Sequence, residues 1–341
     1  MSLLSYAQRF EDIHLLRCFG EQAEGFYIDV GAGHPVYDNV SFAFYLRGWR
    51  GITVEPNPRL ARLNRAVRPR DLNRQMLVGA AAGEATLYMF SEFHGLSTMV
   101  ESQARAAERE VGRSPEPVRL PVTTLTALCE GAAPTRIDFL KIDVEGAEGD
   151  VLRGADFQRF RPRIIVIEAI VPLDLSQSWE AWEPLLTQNG YAFVWHDDLN
   201  RFYVADEARA LAGYFATAPK WLTDVPQIGN YQGAASDAAH PDHALAKHIA
   251  GAAMTRLPLL DPALLLDLLT ADLPRADLDR PATQADITTA LTRVFGIAPT
   301  DDQLAHYAPG AGATVRDTYR RILESDAFRA ACGRISASYA W

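Results

Sequence analysis

The chain lacks any apolar run long enough to cross a bilayer, for which about 20 residues are needed. Its greasiest stretch, residues 164–173, already carries Glu168. A surplus of positive charge is also missing: 33 Lys and Arg stand against 43 Asp and Glu, for a formal net charge of −10. Proteins that hold duplexes neutralise phosphates with surplus cations, so nucleic acid is not an expected partner. Cysteine is scarce. Cys18, Cys129 and Cys332 are odd in number and far apart, which gives neither a disulfide framework nor a metal box. The N-terminal stretch "MSLLSYAQRFEDIHLLRCFG" mixes apolar and charged positions at helical spacing and lacks the form of a signal peptide. A cytoplasmic protein with no membrane span is the expectation.

About half of the 341 residues are apolar, enough for two domains with buried cores. As far as residue 205, short β-branched runs alternate with amphipathic segments, the pattern of a parallel sheet covered by helices. Strands are expected at 26–30, 51–55, 75–80, 137–143, 164–169, 191–195 and 201–205, and helices at 57–66, 146–152 and 178–188. The last two strands are separated only by "HDDLN", too short for a helical crossover, so they pair antiparallel. Residues 83–90 suggest a further hairpin extending one edge, and the charged stretch 105–117 reads as a surface loop. Past Val225 the texture becomes rich in Gly, Ala, Pro and Asp. The expected organisation is therefore a main α/β domain over 1–228, a linker over 229–248 and a small all-helical domain over 249–341. In the last of these, Thr283 with Asp286, Thr300 with Gln303 and Thr314 with Asp317 have capping-box spacing.

The first strand runs into "GAGHP", which offers Gly31 and Gly33 but no third glycine, and His34-Pro35 delays a helix start. A dinucleotide fold needs that third glycine to pack its helix on the strand, so a nicotinamide dehydrogenase is disfavoured. Asp29 inside the strand end suits a ligand with a charged amine. Glu55 ends the second strand 22 residues after Gly33, near the spacing at which an acid on such a sheet accepts ribose hydroxyls. In "DFLKIDVEGAEGDVL" Lys141 and Asp143 share a face. Glu145 and Glu148 follow in the next helix's first turn, where the helix dipole alone would favour acids. Glu168 reaches the same edge from the next strand, and the converging acids suggest a cationic ligand or a metal.

Together "FYIDVGAGHP", "LRGWRGITVEPNP", "GLST", "IDFLKIDVEGAEGDVLRG" and "DDLNRFYVA" resemble the FkbM family of S-adenosylmethionine-dependent methyltransferases over about residues 5–225. The resemblance implies a class I, Rossmann-like fold with a seven-stranded, mostly parallel sheet ending in an antiparallel hairpin. It implies S-adenosyl-L-methionine, with Asp29, Gly31 and Gly33 around its methionine end and Glu55 on its ribose. Many members carry Asn where this chain has Gly33, and no acid follows the third strand, so adenine contacts are assigned to backbone near Gly79 and Ala80. The implied reaction is O-methylation of a hydroxyl, foremost on a sugar of a glycan or glycosylated metabolite, with a macrolide-like acceptor as the alternative. A non-catalytic sugar-binding protein on a vestigial core is a further alternative. Asp143 is the expected base, with Lys141 and Glu145 shaping its charge, and His196 and His34 are the rivals. His34, Ser97, Glu168, Asn200, Arg201 and Tyr203 are the expected acceptor contacts. A Mg²⁺ held by Asp143 and Glu168 is the lesser alternative to a metal-free site. Arg59, Arg62, Arg65, Arg68, Arg70 and Arg74 read as a solvated basic face. The segment 295–331 resembles short helical modules attached to carbohydrate-related proteins, and the helical domain offers a surface for a homodimer.

Overall fold

A computed structural model describes residues 3–90, 94–170, 177–310 and 312–339. The far end of the apolar run 164–173 falls outside them. The chain divides into two compact units, Met1–Asn230 and Tyr231–Trp341.

In the first unit, strands β1 (Phe26–Val30), β2 (Arg50–Val54), β3 (Leu72–Arg74), β4 (Leu77–Val78), β5 (Gly83–Met89), β6 (Glu116–Thr123), β7 (Ile137–Ile142), β8 (Pro162–Glu168), β9 (Tyr191–His196) and β10 (Asn200–Ala205) form two sheets. The larger has seven strands in the order β3-β2-β1-β7-β8-β10-β9. It is parallel as far as β8, and β10 runs antiparallel to both β8 and β9. All six residues of β7 are buried, which accounts for its unbroken apolar character apart from Asp138 and Lys141: a central parallel strand is covered on both faces.

Helices α1 (Glu11–Phe19), α2 (Phe42–Leu46), α3 (Pro58–Val67), α4 (Glu101–Val111), α5 (Leu125–Ala132), α6 (Glu148–Arg153) and α7 (Glu183–Thr187) belong to the same unit. Their starts follow local chemistry. Asn57 caps α3 by accepting from the amides of Arg59 and Leu60, with Pro58 in the first turn, and Thr124 caps α5 through the amide of Ala127.

Three expectations change. The third strand of the main sheet is Leu72–Arg74, not 75–80, because the residues beyond it turn away to pair with β6. Residues 83–89 do not extend an edge of the main sheet but pair antiparallel with β6 in a separate three-stranded sheet, β4-β6-β5. Much of the expected loop at 105–117 is α4 followed by β6. The helix buries only Ala104 and Ala107, so its apolar stripe is too thin to show among the charges.

The second unit contains helices α8 (His243–Thr255), α9 (Pro262–Leu269), α10 (Arg275–Asp279), α11 (Gln284–Phe295), α12 (Asp301–His306), α13 (Val315–Leu323) and α14 (Asp326–Ser338). Residues 243–248, placed in a linker by the sequence, open α8. The three capping boxes at Thr283, Thr300 and Thr314 are all formed. Leu266, Ile287, Leu291, Tyr319 and Ile322 are central to this unit's own core. No helix among the described residues is long and apolar enough to cross a membrane.

Candidate functional site

A cavity of about 330 Å³ opens at the carboxyl ends of β1, β2, β7 and β8. This is the edge where open α/β sheets bind ligands. One wall is Gly31, Gly33, His34 and Glu55; an apolar wall includes Leu60, Met76, Leu77 and Val78; the floor carries Lys141, Asp143, Glu145 and Glu168.

Strand register builds the floor. Asp29 and Lys141 are direct partners across β1 and β7, and Ile142 pairs with Ile167 across β7 and β8, so one residue further on Asp143 and Glu168 come level. Lys141 Nζ donates to the Gly31 carbonyl at 2.7 Å and lies 3.2 Å from Asp143 and 3.7 Å from Asp29. Burial would lower the pKa of this lysine, but the carboxylates of Asp143 and Asp29 outweigh that and raise it. Lys141 is thus a fixed cation tying two strand ends together.

The turn after β7 carries Glu145 in a left-handed backbone conformation (φ 53°), followed by Gly146 at φ 97°. Glu148 holds it there by accepting from the amides of Val144 and Gly146, and Thr98 Oγ1 donates to the Glu145 carbonyl at 2.6 Å. One carboxylate oxygen each from Asp143, Glu145 and Glu168 then lies within 4.8 Å of the other two. Burial, with the charge of Asp143 next, raises the pKa of both Glu145 and Glu168 well above the carboxylate range. Glu148 is buried and raised to about 6; its hydrogen bonds into the turn make it a positioning residue.

Glu55 receives the amide of Gly33 on one oxygen at 2.7 Å and that of Asn57 on the other at 2.8 Å. Burial nevertheless raises it to about 7. Each oxygen keeps a further lone pair for a ligand hydroxyl. The two glycines differ in purpose. A Cβ on Gly31 would sit 1.7 Å from the Asp143 carbonyl, so this glycine is required by the neighbouring strand end. At Gly33 (φ 57°) no atom of the described residues beyond its chain neighbours lies within 4 Å of where a Cβ would be, leaving its backbone open to a ligand.

Several expected contacts lie elsewhere. Asp29 is fully buried beneath the wall, accepting from Ser41 Oγ at 2.5 Å. Gly79 and Ala80 are not on the lining, whose neighbouring members are Met76 to Val78. Asn200 donates to Glu11, and Arg201 and Tyr203 both bond Glu183, with the Arg201 guanidinium stacked between Trp179 and Phe193 at 3.9 and 3.8 Å. These three serve β10's packing, because β10 is an interior strand of the sheet. His196 ends β9, off the lining, with its Nε2 buried and without a hydrogen-bond partner among the described residues; the nearby turn reaches the cavity through Leu199. Ser97 and His34 are on the lining, and His34 Nδ1 accepts the amides of Val36 and Tyr37. Of the six basic residues, Arg59, Arg62, Arg65, Arg70 and Arg74 are exposed, but Arg68 is fully buried. It bonds Asp71, Tyr27, Ser41 and Asn39, four partners scattered over the sequence that no local pattern announces. The apolar wall at Met76–Val78 and the carbonyl contact from Asn64 to Gly33 likewise carry no motif.

A search of curated proteins finds no match to the chain. Residues 29–193, which run from the end of β1 into β9 and include every acid of the cavity floor, match the family described as the methyltransferase FkbM domain, so this segment is similar to a family of methyltransferases.

Proposed function

We propose that the protein is an S-adenosyl-L-methionine-dependent O-methyltransferase acting on a hydroxyl, foremost of a sugar. The observation that carries this reading is the division of the cavity: Glu55 and the open Gly33 backbone stand on one wall, and Lys141 with three carboxylates stands on the floor. The bound cofactor supplies a methyl group on a positively charged sulfur, already electrophilic. Glu55 takes the ribose hydroxyls through its remaining lone pairs. Leu60, Met76, Leu77 and Val78 offer the apolar surface an adenine ring needs.

The floor's task is the acceptor. A neutral hydroxyl is a poor nucleophile, so its proton must leave as the O–C bond forms, while the bonding pair of the broken S–C bond stays with sulfur. Asp143 takes that proton. Lys141 fixes the Asp143 carboxylate in place, and Glu145 and Glu168 hold neighbouring hydroxyls of a polyol. Holding donor and hydroxyl at near-attack distance is the larger part of the rate gain. Ser97 and His34 are further acceptor contacts on the lining.

Calorimetric titration tests the reading: S-adenosylhomocysteine binds and NAD does not. Binding of NAD alone, or of neither, overturns it. A mass-spectrometric screen of glycans with methyl-labelled cofactor then identifies the acceptor by its gain of one labelled methyl.

A further inference from the structure

A single carboxylate suffices as a base, yet the floor presents three. Asp143 follows directly on β7, Glu145 stands two residues on, and Glu168 ends β8, each offering one oxygen within 4.8 Å of the others. Lys141 does not balance them: it contacts Asp143, Asp29 and the Gly31 carbonyl, and among the described residues neither Glu145 nor Glu168 forms an ion pair. A second observation points to a missing partner. Glu168 is only 7% exposed, it lines the cavity, and among the described residues no hydrogen-bond donor reaches its buried Oε2. A buried carboxylate oxygen left unpaired is costly, and at the edge of a ligand cavity a bound cation is one way to satisfy it.

We infer that Asp143, Glu145 and Glu168 together hold one divalent hard cation, of the Mg²⁺ or Mn²⁺ kind, on the floor of the cavity. The donor set is all oxygen, with no histidine or cysteine among the three, which selects hard cations over zinc or copper. The spacing is compatible: the three oxygens lie within 4.8 Å of one another, and adjacent oxygens around a cation bound at about 2.1 to 2.4 Å stand roughly 3.0 to 3.4 Å apart, within that limit. Three protein ligands leave coordination positions for water and an acceptor oxygen. Resting on the methyltransferase reading, the cation's role is to bind the acceptor hydroxyl and make its proton easier to lose, so that the proton passes to the Asp143 oxygen that does not hold the cation as the methyl arrives.

The test uses the full chain, stripped with a chelator and dialysed. Titration with Mn²⁺, followed by the electron paramagnetic resonance signal of the free ion, is expected to show one bound per chain, displaced by Mg²⁺. Glu168→Gln and Glu145→Gln are each expected to weaken Mn²⁺ binding about tenfold or more, while circular dichroism and S-adenosylhomocysteine binding stay as in the parent. Two variants on different elements guard against one failing to fold. Unbound Mn²⁺ in the parent chain, or unchanged binding in both variants, overturns the inference. If the stripped chain binds S-adenosylhomocysteine but no Mn²⁺, the cation falls and the methyltransferase reading stands. If it binds Mn²⁺ but neither S-adenosylhomocysteine nor S-adenosylmethionine, the cation site stands and the functional reading falls.

Discussion

At Glu55, burial and hydrogen bonding act in opposite directions. Burial dominates and lifts the carboxyl to about 7 against the two backbone amides that favour its ionised form. Ribose hydroxyls donating to it add to the second side, so cofactor binding releases a proton. Affinity for S-adenosylhomocysteine should therefore weaken as pH falls below about 7, by up to tenfold per unit, and level off above it. Titrations from pH 5.5 to 8.5 check this, with Glu55→Gln expected to bind about tenfold more weakly and without the pH slope. At Asp143 the expectation is kinetic: Asp143→Asn keeps the fold and lowers kcat about 100-fold or more. Full turnover in that variant removes it from proton transfer.

The elements place these residues with little slack. β1 and β7 meet so closely at their ends that only glycine fits at position 31, and the turn after β7 depends on Glu148 and Thr98 for its shape. Beneath the cavity, Arg68 at the end of α3 links β1 through Tyr27 to the start of β3 through Asp71. Removing it leaves Asp71 as an unpaired buried charge, at a cost of about 3–5 kcal/mol. Arg68→Met should lower the melting midpoint on the order of 10 °C by differential scanning calorimetry. A shift below about 2 °C would show that the network contributes little.

Over the whole molecule, every cavity residue lies in the unit Met1–Asn230, and the two units have separate hydrophobic cores. A chain ending at Asn230 should fold and keep S-adenosylhomocysteine affinity within about twofold; loss of binding would mean that residues beyond it complete the site. Stability should also depend on pH in one direction between pH 6 and 8.5. Burial, with Asp197 next, raises Glu11 to about 8, and Glu55 is held at about 7, whereas both ionise near 4.5 once unfolded. Between pH 6 and 8.5 the folded chain thus holds more protons than the unfolded one, so its stability falls as pH rises. Melting scans at the two pH values check the sign, with the lower midpoint at pH 8.5.

The sequence by itself determined the strands whose burial is written in their composition. β1, β7 and β8 are apolar runs because a central parallel strand meets core on both faces, and their ends deliver Asp143 and Glu168 to one edge by counting residues. Glu55 was legible for the same reason, and so were the three helix caps, which are local contacts. Tertiary structure decided what depends on partners distant in sequence. Asp29, fixed opposite Lys141 and under Ser41, lies beneath the cavity wall. Arg201 and Tyr203 are turned into packing because β10 is flanked on both sides by other strands. Arg68, one of six similar arginines in sequence, is buried because Tyr27, Asn39 and Ser41, far away in sequence, surround it together with the nearby Asp71. Glu145 reaches its neighbours only through a left-handed turn that Glu148 and Thr98 hold in place, and no spacing rule encodes a turn whose geometry is fixed by a threonine 47 residues away.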